Sequence, residues 1–422
     1  MLLSPQKLCR TIVLSLALIS LASVGVAADW TSWRGPLRDG IATEKGLQQQ
    51  WQEKGPNLLW RSEGLGKAYS SLSISSGKIV TMGQRKGACL LIGLDLKDGA
   101  ELWSAEVGGG EPNCTPTIDG DLAYGLGREG DLVCVKLGDG EIVWRKSFKQ
   151  DFGGSMMSGW GYSESPLVDG DKLVCTPGAK DALIVALNKK TGEVIWKSAV
   201  PDLGQRGNNG AAYSSIVISQ AAGVKQYVQL VGKGIVSVAA DDGRFLWNYN
   251  RIANGTANIP TPIVKGDYVF CSTGYGTGAA LLEVKKTGST LVAEEQYFLN
   301  SKDMQNHHGG MILIGDHVYC GSGHNQGFPL CIELKTGKQV WGGKRGPGEG
   351  SAAILMADGN LYFRYENGVM ALIEATPEQY NLKSSFELAS KNGKSWPHPV
   401  IVDGLMYVRD QGTLLCYDVR AK

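Results

Sequence analysis

With 422 residues, 43% hydrophobic content and a formal net charge of +1, the chain can bury a large core or a ring of small ones. Its near-neutral charge gives no field that would direct it to nucleic acid or an anionic membrane surface. Glycine is abundant, at 58 residues, and long stretches of helical period are missing, which predicts many short strands joined by turns.

Residues 1–28 read as a cleavable signal peptide. Lys7 and Arg10 precede an apolar run from Thr11 to Ala22, and Val26, Ala27 and Ala28 suit cleavage after Ala28. The run falls short of the roughly 18 apolar residues of a membrane span, and no other stretch approaches that length. Cys9 precedes the apolar run instead of following it, so no lipid anchor is expected, and the chain is predicted to be periplasmic or secreted. Of the later cysteines, Cys134, Cys175, Cys271, Cys320, Cys331 and Cys416 lie in apolar strand-like runs. That placement predicts buried thiols, and the absence of CysXaaXaaCys disfavours zinc clusters and covalent haem.

Residues 29–56 form an irregular leader, and Asn57–Ser62, with Trp60, reads as an outer strand with nothing before it. From Tyr69 onward come units of roughly 40–50 residues, the period of propeller blades. The clearest is Ala186–Trp196, a strand, a polar turn closed by Gly192 and a second strand reaching Trp196. A Gly four residues before a Trp recurs at Gly99/Trp103, Gly140/Trp144, Gly243/Trp247 and Gly337/Trp341. Ten residues before each Trp sits a small side chain: Gly93, Cys134, Ala186, Ser237 or Cys331. The turn needs glycine for its backbone angles, and the small residue leaves room for an indole to pack over the turn glycine of a neighbouring unit.

Inner strands are expected near Thr115, Ser165, Ser214, Pro260, Gly310, Ala352 and Pro397, and the Trp position is degenerate at Val292 and near Phe386. The last unit offers Leu405–Arg409 and Thr413–Val419 but no fourth strand, and Asn57–Ser62 supplies it. Pairing the two ends removes exposed edges and predicts an all-β, eight-bladed β-propeller over residues 57–422.

Ala186, Asn188, Thr191, Gly192 and Trp196 resemble the tryptophan-docking repeat of the quinoprotein-like, pyrroloquinoline quinone (PQQ) repeat propellers, with Asn188 where Asp is usual and Asp95 keeping the Asp. The resemblance covers about residues 57–422. It implies two kinds of relative: periplasmic quinone-dependent alcohol and sugar dehydrogenases, and an outer-membrane-protein assembly scaffold that binds no cofactor.

On the face shared by the outer-to-inner and second-to-third strand loops, Tyr69, Asn113, Tyr162, Glu164, Tyr213, Asn258, His307, His308, Glu349, Trp396 and His398 are expected to open onto a central funnel. Glu164, His307 and His308 are the candidate bases. Adjacent side chains on an extended segment point opposite ways, so one of the two histidines is expected to face the funnel. His324 and His398 leave a histidine cluster open.

The resemblance implies that a redox member would stack PQQ on an indole, with calcium beside it. Trp160 and Trp396 lack a Gly four residues before them and are the candidate platforms, with Tyr162 and His398 nearby. Cationic loop residues would pair the quinone carboxylates: Arg85, Lys86, Arg128, Lys180, Lys233, Arg364 and Arg409. The plainer reading of these residues is solvated turn charge, and that of the indoles is aromatic packing at the funnel mouth. Two departures from the dehydrogenases stand out. No adjacent Cys–Cys pair occurs, and the calcium constellation is matched only loosely by Glu164, Asn258 and Asp303.

No GlyXaaSerXaaGly elbow, P-loop or dinucleotide fingerprint in a strand–helix context is present, and Gly274–Gly278 reads as a Gly-rich strand connection. Two functions follow. One is a monomeric binding or scaffolding propeller that takes a small molecule or a protein partner at the funnel face. The other is a PQQ-dependent oxidoreductase acting on alcohols, sugars or polyols.

Overall fold

A computed structural model describes Met1 and residues 29–422; residues 2–28, the body of the expected signal segment, lie outside the described residues. Eight antiparallel sheets of four strands follow one another along the chain. Blade one comprises Ser73–Ser75, Lys78–Arg85, Ala88–Asp95 and Glu101–Gly109. The inner strands of blades two to eight are Thr117–Asp119, Leu167–Asp169, Val217–Ser219, Ile263–Lys265, Asn306–Ile314, Ala352–Ala357 and Val400–Val402. Asn57–Ser62 pairs antiparallel with Thr413–Asp418 and puts Trp60 opposite Cys416, so the N-terminal strand completes blade eight and closes the ring. All eight described cysteines are buried free thiols. Among the described residues no helix is long and apolar enough to cross a membrane.

Each outer strand carries a bulge beside its docking residue. Gly93 faces Trp103 while Leu94 faces Glu101, and Ala186 faces Trp196 while Leu187 faces Val194. A bulge adds local twist, and here the indole reaches the next blade. Trp103 donates from Nε1 to the Leu137 carbonyl at 3.0 Å, and Trp144 to that of Lys189 at 3.1 Å. A Cβ added to Gly140 would stand 2.6 Å from the Trp103 ring, which is why a glycine with φ +77° occupies that turn.

The register corrects two expected docking positions. In blade five the residue across the bulge is Tyr297, not Val292; it faces Leu281, packs on Gly337 and donates to the Leu334 carbonyl at 2.7 Å. The longer hairpin of this blade, Gly278–Thr287 with Thr290–Asn300, moves the turn glycine away from the bulge. In blade seven the position is Ser384, not Phe386. The leader supplies the missing aromatic. The Trp51 backbone N–H donates to Ser384 Oγ at 2.9 Å, and the indole lies 5.1 Å from Phe386 and 5.6 Å from Tyr362.

The rest of the leader crosses the central channel. Trp30 bridges Ile74 of blade one, and the Thr31 carbonyl accepts from Ile118 N of blade two at 2.7 Å. The buried Arg38 guanidinium donates to the carbonyls of Ser165 (3.0 Å), Ile216 (3.1 Å) and Pro166, tying blades three and four. Arg34 donates to the carbonyls of Asp39 (2.9 Å) and of Met311 in blade six. Ile41–Ala42 then adds a parallel strand to Met356–Ala357 of blade seven. Burial lowers both arginine pKa values to about 10, so both stay charged at neutral pH. Their charge is satisfied mainly by carbonyl oxygens at the inner edges of the ring.

Candidate functional site

Above this plug lies a cavity of about 240 Å³ at the centre of the ring. Trp33 of the leader contributes to its lining, and the ring of His398 meets the Trp33 indole edge-on at 5.6 Å. The walls are aromatic. Tyr69 stacks on Trp396 with centroids 4.4 Å apart, and Trp396 stacks on His308 at 4.1 Å. Trp160 closes on both Tyr69 (6.4 Å) and Trp396 (6.0 Å), and Tyr213 and Tyr275 add two further rings. Glu366 fixes the Trp396 indole by accepting from Nε1 at 2.8 Å, so the platform is held from behind.

His307 and His308 both face the cavity, a correction to the expected alternation. Asn306 pairs with Ser322 and Met311 with Cys320, so residues 307–310 bulge opposite Gly321 alone. The segment is therefore not a simple extended strand, and the two imidazoles lie with centroids 3.5 Å apart. Gly309 is required there because a Cβ would stand 1.6 Å from the Ala352 carbonyl oxygen. His307 is held at Nδ1 by Ser351 Oγ (2.9 Å) and at Nε2 by Tyr275 OH (3.1 Å). His324 adds a third ring 4.0 Å from His307.

Burial lowers the pKa of His307 to about 3 and holds His308 well below the usual histidine range, with the neighbouring imidazoles adding to both shifts. Burial likewise lowers His398 to about 3, with Arg34 contributing. These rings are neutral at physiological pH. His398 Nδ1 sits 3.1 Å from the Ile354 carbonyl, which only accepts, so Nδ1 carries the proton and Nε2 is a bare acceptor. Nε2 is buried without a hydrogen-bond partner among the described residues, as is His308 Nδ1.

Lower in the cavity a hydroxyl ladder links successive blades. Ser71 N donates to Thr115 Oγ1 (3.1 Å), Thr115 N to Ser165 Oγ (3.1 Å), Ser165 N to Ser215 Oγ (3.0 Å) and Ser215 N to Thr261 Oγ1 (3.2 Å). Thr115, Ser215 and Thr261 line the cavity, and their oxygens accept from the neighbouring backbone, which leaves their O–H protons to donate. This ladder is legible in hindsight as a Ser or Thr two residues before the inner strand in blades one to five, at positions 71, 115, 165, 215 and 261.

The structure brings Trp160, His307, His308, Trp396 and His398 together around one cavity. Other candidates lie elsewhere. Glu164 is buried away from it, its carboxylate accepting from Thr176 N (2.6 Å) and Thr176 Oγ1 (3.0 Å). Burial raises its pKa to about 8. Tyr162 is buried and donates to the Pro177 carbonyl at 2.9 Å, and Asn258 is buried and donates to the Val231 and Gly232 carbonyls. Arg364 is fully buried against Asp410 (3.3 Å), and Arg409 donates to the Gln411 (2.9 Å) and Gly66 (3.2 Å) carbonyls and to Thr81. Arg85 pairs with Glu101 and Lys233 with Asp202. Arg128 stands in a shallow groove beside Trp160 and donates to the Gly159 carbonyl at 3.2 Å. Trp33, Tyr275 and Lys394 line the cavity without having been expected there.

PQQ with calcium does not fit these residues. Among the described residues no carboxylate lines the cavity, Asn113 is its one amide and Lys394 its one cation, against three carboxylates on the quinone. Of the cationic candidates, Arg85, Lys233, Arg364 and Arg409 are committed to protein partners, and none of the seven lines the cavity.

The model of a family described as outer membrane protein assembly factor BamB matches residues 89–343. A protein of that description from Shewanella oneidensis is 24% identical over 251 residues, which is 58% of this chain and 58% of the relative, so the chain spans under two thirds of the length of the curated relative it matches. Among solved structures, BamB from Moraxella catarrhalis superposes with a TM-score of 0.63 at 13% identity, covering 86% of this chain and 99% of that one. Quinohemoprotein alcohol dehydrogenase from Comamonas testosteroni superposes with a TM-score of 0.64 at 12% identity, covering 94% and 81%. At such identities the likeness is one of fold, and proteins of both descriptions share it.

Proposed function

The chain belongs to the family described as outer membrane protein assembly factor BamB, and from that premise we propose that it is an exported binding propeller that holds a ligand or partner at its funnel face. One observation carries the reading: the cavity is walled by stacked aromatic rings and floored by hydroxyls, with no carboxylate to hold a metal or take a proton. The histidines are neutral, and the raised carboxyl of Glu164 stands apart from the cavity, so no base faces the bound molecule with a carboxylate behind it. Rigid aromatic platforms suit recognition, since they offer large contact area at small entropic cost.

Two measurements test this reading. Calorimetric titration with PQQ, with and without calcium, is expected to give no saturable heat; one-to-one binding weakened by Trp396→Ala would move the protein to the dehydrogenases. A photo-crosslinking residue placed at Trp160 is expected to capture a defined partner or ligand in the exporting cell, whereas the same residue at Leu59, on the outer rim, is not. Equal labelling at both positions would remove the funnel face from the proposal.

A further inference from the structure

We infer that the funnel cavity takes the ring of a neutral sugar, either free or at the end of a glycan; this rests on the funnel-face binding reading. Size is the first argument. At about 240 Å³ the cavity falls below the roughly 300–1,000 Å³ that drug-sized ligands occupy, which suits one six-membered ring and not a folded peptide turn.

Charge is the second. Lys394 is the one ionised side chain at the cavity and no carboxylate lines it, so a cationic ligand finds no counter-ion and a polyanion finds one partner. Arg364 and Arg409, the cations that composition offered, are buried in bonds of their own.

The third argument is the arrangement of donors and acceptors. A pyranose presents C–H groups on its faces and hydroxyls, each both donor and acceptor, around its edge. Trp396 is stacked between Tyr69 and His308, and the half-exposed Trp160 beside that stack offers the flat π face for the C–H groups. For the hydroxyls, Thr115, Ser215 and Thr261 offer O–H donors, because the ladder uses their oxygens as acceptors. His398 is 6% exposed and lines the cavity, but its unpartnered Nε2 is closed to solvent, so the complementary acceptor is the amide oxygen of Asn113. Asn113 donates its amide to the Trp160 carbonyl at 3.1 Å, which keeps its own oxygen available. A flat aromatic ligand would use the walls and waste the floor; a sugar ring uses both.

Tryptophan fluorescence and calorimetry on the purified protein, with glucose, galactose and N-acetylglucosamine as probes, test the inference. At least one is expected to bind at a single site, and glucuronate and choline at least tenfold more weakly. Trp160→Ala, at a half-exposed position, and His398→Ala, which removes a ring of the cavity lining, are each expected to weaken it at least tenfold, with thermal unfolding followed to establish that each variant is folded. A β-linked oligosaccharide of the preferred sugar that binds more tightly than the monosaccharide assigns the site to glycan ends; the reverse assigns it to the free sugar.

Preference for choline, for glucuronate or for an aromatic dipeptide overturns the sugar assignment while leaving a funnel ligand in place. No binding by any probe, together with crosslinks from position 160 that persist unchanged in His398→Ala, overturns it in favour of a protein partner. Loss of crosslinks as well removes the funnel-face reading altogether.

Discussion

The Trp396 indole lies on the phenol ring of Tyr69 with centroids 4.4 Å apart and planes 19° apart, a stack that joins blade eight to blade one across the seam of the ring. It is continued on its other side by His308 of blade six. The cavity wall and the ring closure thus share a residue.

Trp396→Ala removes two stacked contacts worth roughly 0.5–1.5 kcal/mol each beyond area. The indole is half-buried, so the expected loss in urea unfolding is about 1–3 kcal/mol, and the near-ultraviolet circular dichroism should change while the far-ultraviolet spectrum does not. Trp396→Phe keeps a ring on Tyr69 but loses the Glu366 bond, and is expected to fall between wild type and the alanine variant.

The docking residues hold blade to blade. Trp103→Ala, at a buried position bonded to the next blade, is expected to cost about 3–5 kcal/mol. Gly140→Ala should destabilise on its own, since its Cβ would stand 2.6 Å from that indole at a φ of +77°. In the double variant the collision vanishes and only the backbone cost of Gly140→Ala remains. A double-mutant cycle by urea unfolding is expected to give a clearly non-additive term.

Arg364→Ala leaves Asp410 buried with Ser390 Oγ and Asn392 N as its hydrogen-bond donors, and is expected to cost about 3–5 kcal/mol. Arg364→Ala with Asp410→Asn should recover part of that loss. Neither is expected to change ligand affinity once folded. A selective affinity loss in a fully stable Arg364→Ala protein would return this residue to the site.

Glu164 sets a pH dependence. Its folded pKa, raised by burial to about 8, exceeds the ordinary 4.5, so the fold holds a proton that the unfolded chain releases between these values. Its contribution to stability is complete below about pH 4.5 and is lost as pH rises through 8, with a slope of up to about 1.4 kcal/mol per pH unit for one proton. His307 and His398 act on the acid side: their lowered pKa values of about 3 mean that stability present above pH 6.5 is lost as pH falls toward 3. Urea midpoints measured from pH 4 to 9 should show Glu164→Gln losing less than wild type between pH 5 and 8. An unchanged slope would place the proton elsewhere.

Arg38→Met removes three carbonyl contacts that tie the leader to blades three and four, and leaves the Ser165, Pro166 and Ile216 oxygens short of a donor. The expected loss is about 1–3 kcal/mol, and limited proteolysis should cut the leader before the blades. Equal protection of leader and blades would show that the plug holds without its arginine.

The blades were legible because glycine turns and tryptophans recur at fixed spacing, and each strand needs only its neighbours. Ring closure was legible for the same reason, as an orphan strand at each end. The docking positions of blades five and seven were not, since Tyr297 and Ser384 are fixed by the bulge, and a hairpin of different length separates bulge from turn glycine. Within the site, the aromatic residues that begin inner strands were found. The loop arginines were misplaced because sequence does not say whether a turn cation meets solvent or a buried carboxylate such as Asp410. Trp33 was missed because a leader without periodicity gives no sign that it will cross a channel.

The pairing of Asn57–Ser62 with Thr413–Asp418 also dictates an order of events. A strand made near the start of synthesis stays partnerless until nearly the whole chain has followed it, and a loop of that length is slow to close. The leader waits in the same way, because its binding places are spread over seven blades from first to eighth. The leader therefore settles only after the blades that hold it, and the interval leaves an unpaired strand edge and two arginines open to chaperones. Truncation within the final strand would thus harm the beginning of the molecule more than its middle.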